Sequence, residues 1–515
     1  MRLNSTALYK YISFLVVILC LVFIFIITFN LSDRLHIRNP FLSRVTKPLC
    51  KDCNVLIVTI DSCAARNMPC YGYDRNTTPN FCKFASDNIF FSRSYANAPW
   101  TLPSHVSLFT GLFPSNHGVN QPYTDPLPKS VPLLSDIFHT KGYETIFYMP
   151  AHNEILSDTI IYNRGMSQLV DNTNKPDDDI DAALRHLQKN IQDGKKTFMS
   201  LYSQQCHYPY LLNKENKMFT NDSIPEIPID AELTDIPFTE GFYRNLLETS
   251  KVNSASAIAY LGTSENFYSK LYETLSEATS YADAARRIEA FKKDPIFSIE
   301  AYRTQYLEYY YSIVIDPKNQ RYMNYLRALY DQVLYKLDQG LLTKIARSFT
   351  NNEEIKKNTI LIITAEHGEE FGEHEIYGHT TLYDFNLRVP LVMRIPNIES
   401  RTIHDPVQSV DIMPTLLDLV GIPHNYNFDG TSILPLLQNK QIPTRLLVAD
   451  NYLTSQFTKS IIYGDWKVFV STVGGYTPYM LYNLAEDPNE QKNILLSNFP
   501  IANTILDAYL ESHTK

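Results

Sequence analysis

Two uninterrupted apolar runs, each delivering acidic or imidazole side chains at its end, limit most strongly what this chain can fold into. The first, Asn54-Val55-Leu56-Ile57-Val58-Thr59-Ile60, is β-branched and of strand length, and Asp61 follows it. The second, Thr359-Ile360-Leu361-Ile362-Ile363, leads to Glu366, His367 and Gly368 just past its end. A strand with one wet face alternates apolar and polar residues, whereas a strand that is apolar throughout is covered on both faces, as in a parallel sheet flanked by helices. The expected fold class is therefore α/β, with a mainly parallel central sheet. In such sheets the polar residues just beyond the carboxyl ends of the strands form the site. Asp61, Glu366 and His367 supply two hard oxygen ligands and one imidazole. That set suits one divalent cation, and the imidazole favours manganese, zinc or magnesium over calcium.

A third stretch, Ala98-Pro99-Trp100-Thr101-Leu102-Pro103-Ser104-His105, continues through Val106-Ser107-Leu108-Phe109-Thr110 to Gly111. Thr101, an early proline and apolar residues at helical spacing predict a helix start, and Gly111 predicts its stop. Unpaired N–H groups at a helix N-terminus favour an anion or a developing alkoxide, so a hydroxyl there can act as a nucleophile. By itself Thr101 reads as a plain helix cap. Beside the two acid-bearing strands it becomes a candidate nucleophile and a further metal ligand.

These stretches resemble the sulfatase family of the alkaline phosphatase superfamily. Thr101 to Gly111 is similar to the family's C/S-x-P-S-R…L-x-T-G signature, and Ala365 to Pro390 to its second signature. Asp411-Ile412-Met413-Pro414-Thr415-Leu416-Leu417 resembles a D-x-x-P-T-L-L segment, and Leu481-Tyr482-Asn483-Leu484 with Glu486 to Glu490 resembles the closing L-Y-D-L…D-P-x-E. The resemblance implies an alkaline-phosphatase-like sandwich with one metal, held by Asp61, Thr101, Glu366 and His367. It further implies His152 and His207 as substrate-binding residues and His379 as the general acid, where relatives carry a lysine. Four departures stand out: Thr101 replaces the cysteine or serine that becomes formylglycine, His105 the signature arginine, Ser62 the second aspartate of a pair, and Glu366 an aspartate. Threonine cannot form the aldehyde, so no formylglycine is expected. Cys63 with Arg66 lacks the proline and reads as a buried thiol.

The 515 residues are 44% hydrophobic and 20% charged, a globular composition. A formal charge of -9 without a basic stripe gives no reason to expect nucleic-acid binding. Residues 11–31 are uncharged and long enough to span a bilayer, which needs about 20 residues. The expected organisation is a cytoplasmic tail (1–10), a single-pass transmembrane anchor (11–31), a linker (32–52), a catalytic domain (53–396) and a smaller C-terminal α+β subdomain (397–515). Following the resemblance, the catalytic domain is extracytoplasmic. Within it, residues 214–318 depart from the family pattern, and the spacing of Phe267, Leu271, Leu275, Ile288 and Phe291 predicts a helical insertion. Cys50 and Cys53 form either linker thiols or one small disulfide, and no pairing for Cys70 or Cys82 is legible. His374 reads as a solvated loop residue.

The function expected from the sequence is a membrane-anchored, metal-dependent hydrolase or transferase acting on phosphate esters through a Thr101 nucleophile and a covalent phosphothreonine. His105, His152, His207 and His379 would carry substrate charge and protonate the leaving group. The alternatives are a sulfuric ester hydrolase acting on sulfated substrates, and an inactive binding protein that keeps the fold. The partner is an anionic ester, a phosphorylated or sulfated lipid, glycan or small molecule.

Overall fold

The computed structural model describes residues 48–513, except 121–126, 151–163, 173–175, 209, 211–217, 220–237, 262–266, 298–301, 303–304, 307–308, 310–314 and 454–456. The tail, the span read at 11–31 and the linker up to residue 47 lie outside the described residues. Among the described residues no helix is long and apolar enough to cross a membrane.

The strands used below are β1 (Asn54–Ile60), β2 (Ile89–Phe91), β3 (Glu144–Pro150), β4 (Gln168–Asn172), β5 (Thr197–Ser203), β6 (Thr359–Ala365), β7 (Leu391–Arg394), β8 (Arg401–Ile403), β9 (Leu446–Asn451), β10 (Thr458–Tyr463), β11 (Trp466–Ser471) and β12 (Thr477–Asn483). The helices are α1 (Thr101–Thr110), α2 (Pro176–Gln192), α3 (Glu240–Leu261), α4 (Phe267–Ser276), α5 (Tyr281–Phe291), α6 (Gln320–Leu337), α7 (Ile412–Val420) and α8 (Leu495–His513).

The two apolar runs are the two central neighbours of an eight-stranded sheet ordered β8-β2-β7-β6-β1-β5-β3-β4. From β6 through β4 every pairing is parallel, while β7 runs antiparallel to β6 and β2. The expected α/β class with a mainly parallel sheet is what the chain forms. β1, β5 and β6 are buried along their whole length, which is why none of them alternates. Each fully buried Val, Leu or Ile contributes about 1.5–3 kcal/mol, so two covered faces outweigh any local preference.

Period-two geometry divides the side chains between two cores. Leu56, Val58 and Ile60 join Met199, Leu201, Leu361 and Ile363 under α2 and α6. Val55, Ile57, Phe198, Ile360 and Ile362 face α1 and α7. Ile60 pairs with both Ser203 and Ala365, so the three strands end level. The next residues of β1 and β6, Asp61 and Glu366, therefore fall on the α1 face at one height.

Residues 48–52 belong to the folded unit rather than to a linker. Cys50 is buried, donates its N–H to Leu419 O at 3.0 Å and is disulfide-bonded to Cys53. Cys70 pairs with Cys82, a connection invisible in the spacing. The expected change of character at residue 397 also comes later. β8 pairs with β2 in the main sheet and α7 packs under it, so the chain leaves that sheet's core only after residue 437.

β9 to β12 then form an antiparallel four-stranded sheet. One face packs on α8 through Val448, Ile461, Val468 and Leu481, and the other merges with the main core through Leu447, Ala449, Ile462 and Phe469. In the 214–318 region α3, α4 and α5 enclose a separate core containing Phe267, Leu271, Leu275, Ile288 and Phe291.

Candidate active site

Asp61, Glu366 and His367 are fully buried, and one ligand atom from each lies within 4.8 Å of the others. The sharp turn that brings Asp61 inward is made by Ser62 at φ 53, whose carbonyl accepts from the Tyr330 hydroxyl at 2.7 Å. Ser62 Oγ donates to Asp61 Oδ1 at 3.1 Å, so Ser62 orients the carboxylate that a second aspartate would have accompanied. Glu366 keeps Oε2 buried without a hydrogen-bond partner among the described residues. Two carboxylates and one imidazole within 4.8 Å of one another, one carboxylate keeping an unpaired buried oxygen, fit a divalent cation.

The electrostatics agree. Burial pushes the Asp61 carboxyl up, but His207 and His367, with hydrogen bonds to Glu366 and Tyr202, hold it below the usual carboxylate range. Glu366 is pushed well up by burial and then by the Asp61 charge. Burial, with neighbouring His379, lowers His367 to about 3, which keeps its imidazole neutral and able to ligate.

Helix α1 starts at Thr101 and stops at Gly111, whose φ of +69 supplies the left-handed end. Thr101 Oγ1 lies 3.2 Å from His367 Nε2, and the residue keeps 8% exposure. His105, one turn on, has none. Its Nδ1 lies 3.3 Å from Thr101 O, and its ring meets Tyr202 edge-on at 4.8 Å between centroids. Burial holds it near pKa 4. There His105 lies beneath Thr101 and packs on Tyr202.

His379 and His207 complete the cluster. The His379 ring lies 4.4 Å from that of His367 and 5.1 Å from that of His207, centroid to centroid. Both are partly exposed, and burial followed by the His207 charge lowers His379 to about 3. His152 lies outside the described residues. His374 is not a solvated loop residue. It sits 2.9 Å from Glu370 Oε1 and stacks on Tyr383 at 3.5 Å, pegging the loop in place. Cys63 is a buried thiol, and Arg66 lies over the Phe385 ring, away from the cluster.

A sequence model of the sulfatase family matches residues 53–422, more than half of the chain. The chain belongs to the sulfatase family. A second model, of the N-sulphoglucosamine sulphohydrolase C-terminal region, matches residues 372–503. Among curated relatives, arylsulfatase K of Gallus gallus is 24% identical over 480 residues, covering 89% of this chain and 82% of that protein. Two solved structures share the fold. One, in complex with its substrate D-glucosamine-2-N,6-O-disulfate, has a TM-score of 0.60 at 19% identity and covers 90% of this chain and 98% of that one. The other, phosphonate monoester hydrolase of Agrobacterium radiobacter, has a TM-score of 0.59 at 17% identity and covers 89% and 96%.

Within this sulfatase-family site the sequence reading missed two residues. Tyr202, at the end of β5, donates its hydroxyl to Asp61 Oδ2 and reaches Glu366 Oε1 at 3.5 Å. Glu369 is fully buried, with Oε1 3.2 Å from His379 Nδ1. Tyr202 carried no local signal, because its role depends on β1 and β5 lying side by side. Glu369 did carry one, as an acid two residues beyond the candidate ligand His367 in the stretch that follows β6.

Proposed function

We propose that this sulfatase-family chain is a metal-dependent hydrolase of sulfate esters, with a sulfated glycan or related anionic ester as substrate. The observation that carries the reading is the convergence of Asp61, Glu366, His367 and the Thr101 hydroxyl at one buried point. The names of its relatives support the sulfate ester over the phosphate ester expected from Thr101 alone, and nothing among them supports a transferase. Asp61, Glu366 and His367, with Thr101 as a further oxygen, would hold the cation. Bound there, it supplies Lewis-acid chemistry that polarises an ester oxygen and acidifies a neighbouring hydroxyl.

The side chains then divide the work. Thr101 Oγ forms the new bond to sulfur, and the sulfur–ester oxygen bond breaks with its electron pair leaving on the alcohol oxygen. His379 carries the proton lost by Thr101 to that oxygen; a neutral imidazole can take it and pass it on. Water attacks the sulfur of the threonine ester and restores the hydroxyl. His207 offers its ring to the anionic group.

One observation favours a second reading. Residue 101 is an unmodified threonine, which cannot give the aldehyde of other family members, and an alcohol nucleophile serves phosphorus equally well. Matched 4-nitrophenyl sulfate and 4-nitrophenyl phosphate separate the two. Faster sulfate turnover that Thr101→Ala abolishes supports the first, and faster phosphate turnover with a phosphoryl adduct on residue 101 by intact mass supports the second. No difference between wild type and Thr101→Ala on either ester defeats both.

The single-pass anchor at residues 11–31 and an extracytoplasmic catalytic domain are part of the proposal. The Cys50–Cys53 and Cys70–Cys82 disulfides support it, since such bonds persist in oxidising compartments. Membrane fractionation with and without residues 1–32 tests it.

A further inference from the structure

The loop after β6 contains a short antiparallel ladder in which Glu370 faces Gly378 and Phe371 faces Tyr377. Continuing that register by one residue sets Glu369 opposite His379. Gly378 turns the chain between them with a φ of +104, a backbone conformation that other residues rarely adopt. Glu369 Oε1 lies 3.2 Å from His379 Nδ1, with the carboxyl side chain fully enclosed and the imidazole side chain 13% exposed. One ring nitrogen is thus engaged by a buried carboxyl, while the side chain as a whole keeps some exposure. Around this pair stand His367, His207 and the Tyr208 ring, 5.7 Å from His379, so the imidazole is walled in by aromatic faces and anchored at a single polar point.

We propose that Glu369 is a positioning residue that fixes the His379 ring so that Nε2 meets the leaving oxygen of the ester. This deepens the proposed function and rests on His379 as its proton carrier. The buried Glu369 carboxyl has the His379 imidazole as its hydrogen-bond partner and the Tyr210 hydroxyl as a neutral neighbour, so the imidazole is the group it can orient. Among the described residues it makes no ion pair with a lysine or arginine, and its imidazole partner is His379, whose ring borders the cluster.

Protonation of the leaving group matters most when that group is a poor one, so a misplaced His379 shows itself in leaving-group dependence, which a loss of folding does not change. The experiment uses the full chain in detergent and a series of substituted phenyl sulfates, with the matching phosphates, from nitrophenyl to alkylphenyl. Glu369→Ala should lower kcat on the poorest leaving group about 10²-fold, the cost of an ångström-scale misplacement, and by less on the best. Glu369→Gln, which can still hydrogen-bond Nδ1, should recover most of the loss.

In a His379→Ala background Glu369→Ala should add nothing further, because the two act through one proton transfer. Losses that are equal across the series, or that multiply in the double variant, overturn the proposal while leaving the hydrolase reading intact. A His379→Ala variant without leaving-group dependence overturns it together with the proton-carrier assignment. Wild-type chain that turns over none of the esters defeats the hydrolase reading itself.

Discussion

Thr101, Tyr202 and Glu366 show how single atoms set this site. The Tyr202 hydroxyl donates to Asp61 and faces Glu366, while its ring packs against His105. Tyr202→Phe keeps that packing and removes the hydrogen bond that orients a ligand carboxylate. Metal affinity by isothermal titration should fall about 10–100-fold with folding unchanged. Thr101→Ala should retain about one metal equivalent per chain by elemental analysis, because Asp61, Glu366 and His367 remain. Its turnover of the preferred ester should drop by on the order of 10³.

Proton linkage at the same carboxylates is measurable too. Glu366 is held well above the usual range by burial and the Asp61 charge, which favours a shared proton that a cation would displace. Metal uptake should therefore release protons into weakly buffered solution, and affinity should fall as pH is lowered. An affinity independent of pH between about 5 and 8 would mean that the shared proton is absent in solution.

At the scale of elements, the C-terminal sheet holds the loop that carries His379. Lys467 on β11 is fully buried, 2.7 Å from Asp384 Oδ1 and 2.8 Å from Glu490 Oε1, and Glu490 Oε2 accepts the Asp384 N–H at 2.6 Å. Asn451, at the end of β9, donates to Thr380 O at 2.7 Å, one residue from His379. Two buried carboxylates left without their cation are costly. Lys467→Met should destabilise the chain by about 3–5 kcal/mol, read from a denaturant midpoint. Because Asp384 follows the His379 loop, its surviving folded fraction should also lose activity. A neutral result in both readouts would show that hairpin packing alone secures the loop.

At the scale of the molecule, the described apolar clusters draw on residues from Cys50 to Tyr509. A chain beginning at Pro48 should fold with the same thermal midpoint as the full protein in detergent, since a domain with its own core needs no anchor. Aggregation of that truncation would make residues 1–47 part of the folding unit. The α3–α5 core shares no residue with the main cores, so destabilising it through Leu271→Ala should cost about 2–5 kcal/mol locally while leaving metal binding in place.

The sequence alone determined the features written in local period and punctuation. Unbroken β-branched runs meant doubly covered strands, their polar ends marked Asp61, Glu366 and His367, and Thr101 to Gly111 bracketed a helix with a glycine stop. Helical spacing also named the apolar positions of the 214–318 core. Tertiary structure decided what depends on pairing across hundreds of residues. Level ends of β1, β5 and β6 brought Tyr202 to the carboxylates, a two-residue ladder set Glu369 against His379, and residues 401–437 joined the main sheet and the core beneath it. Periodicity tells a residue which face it occupies. Only the register between distant strands tells it which side chain it meets there.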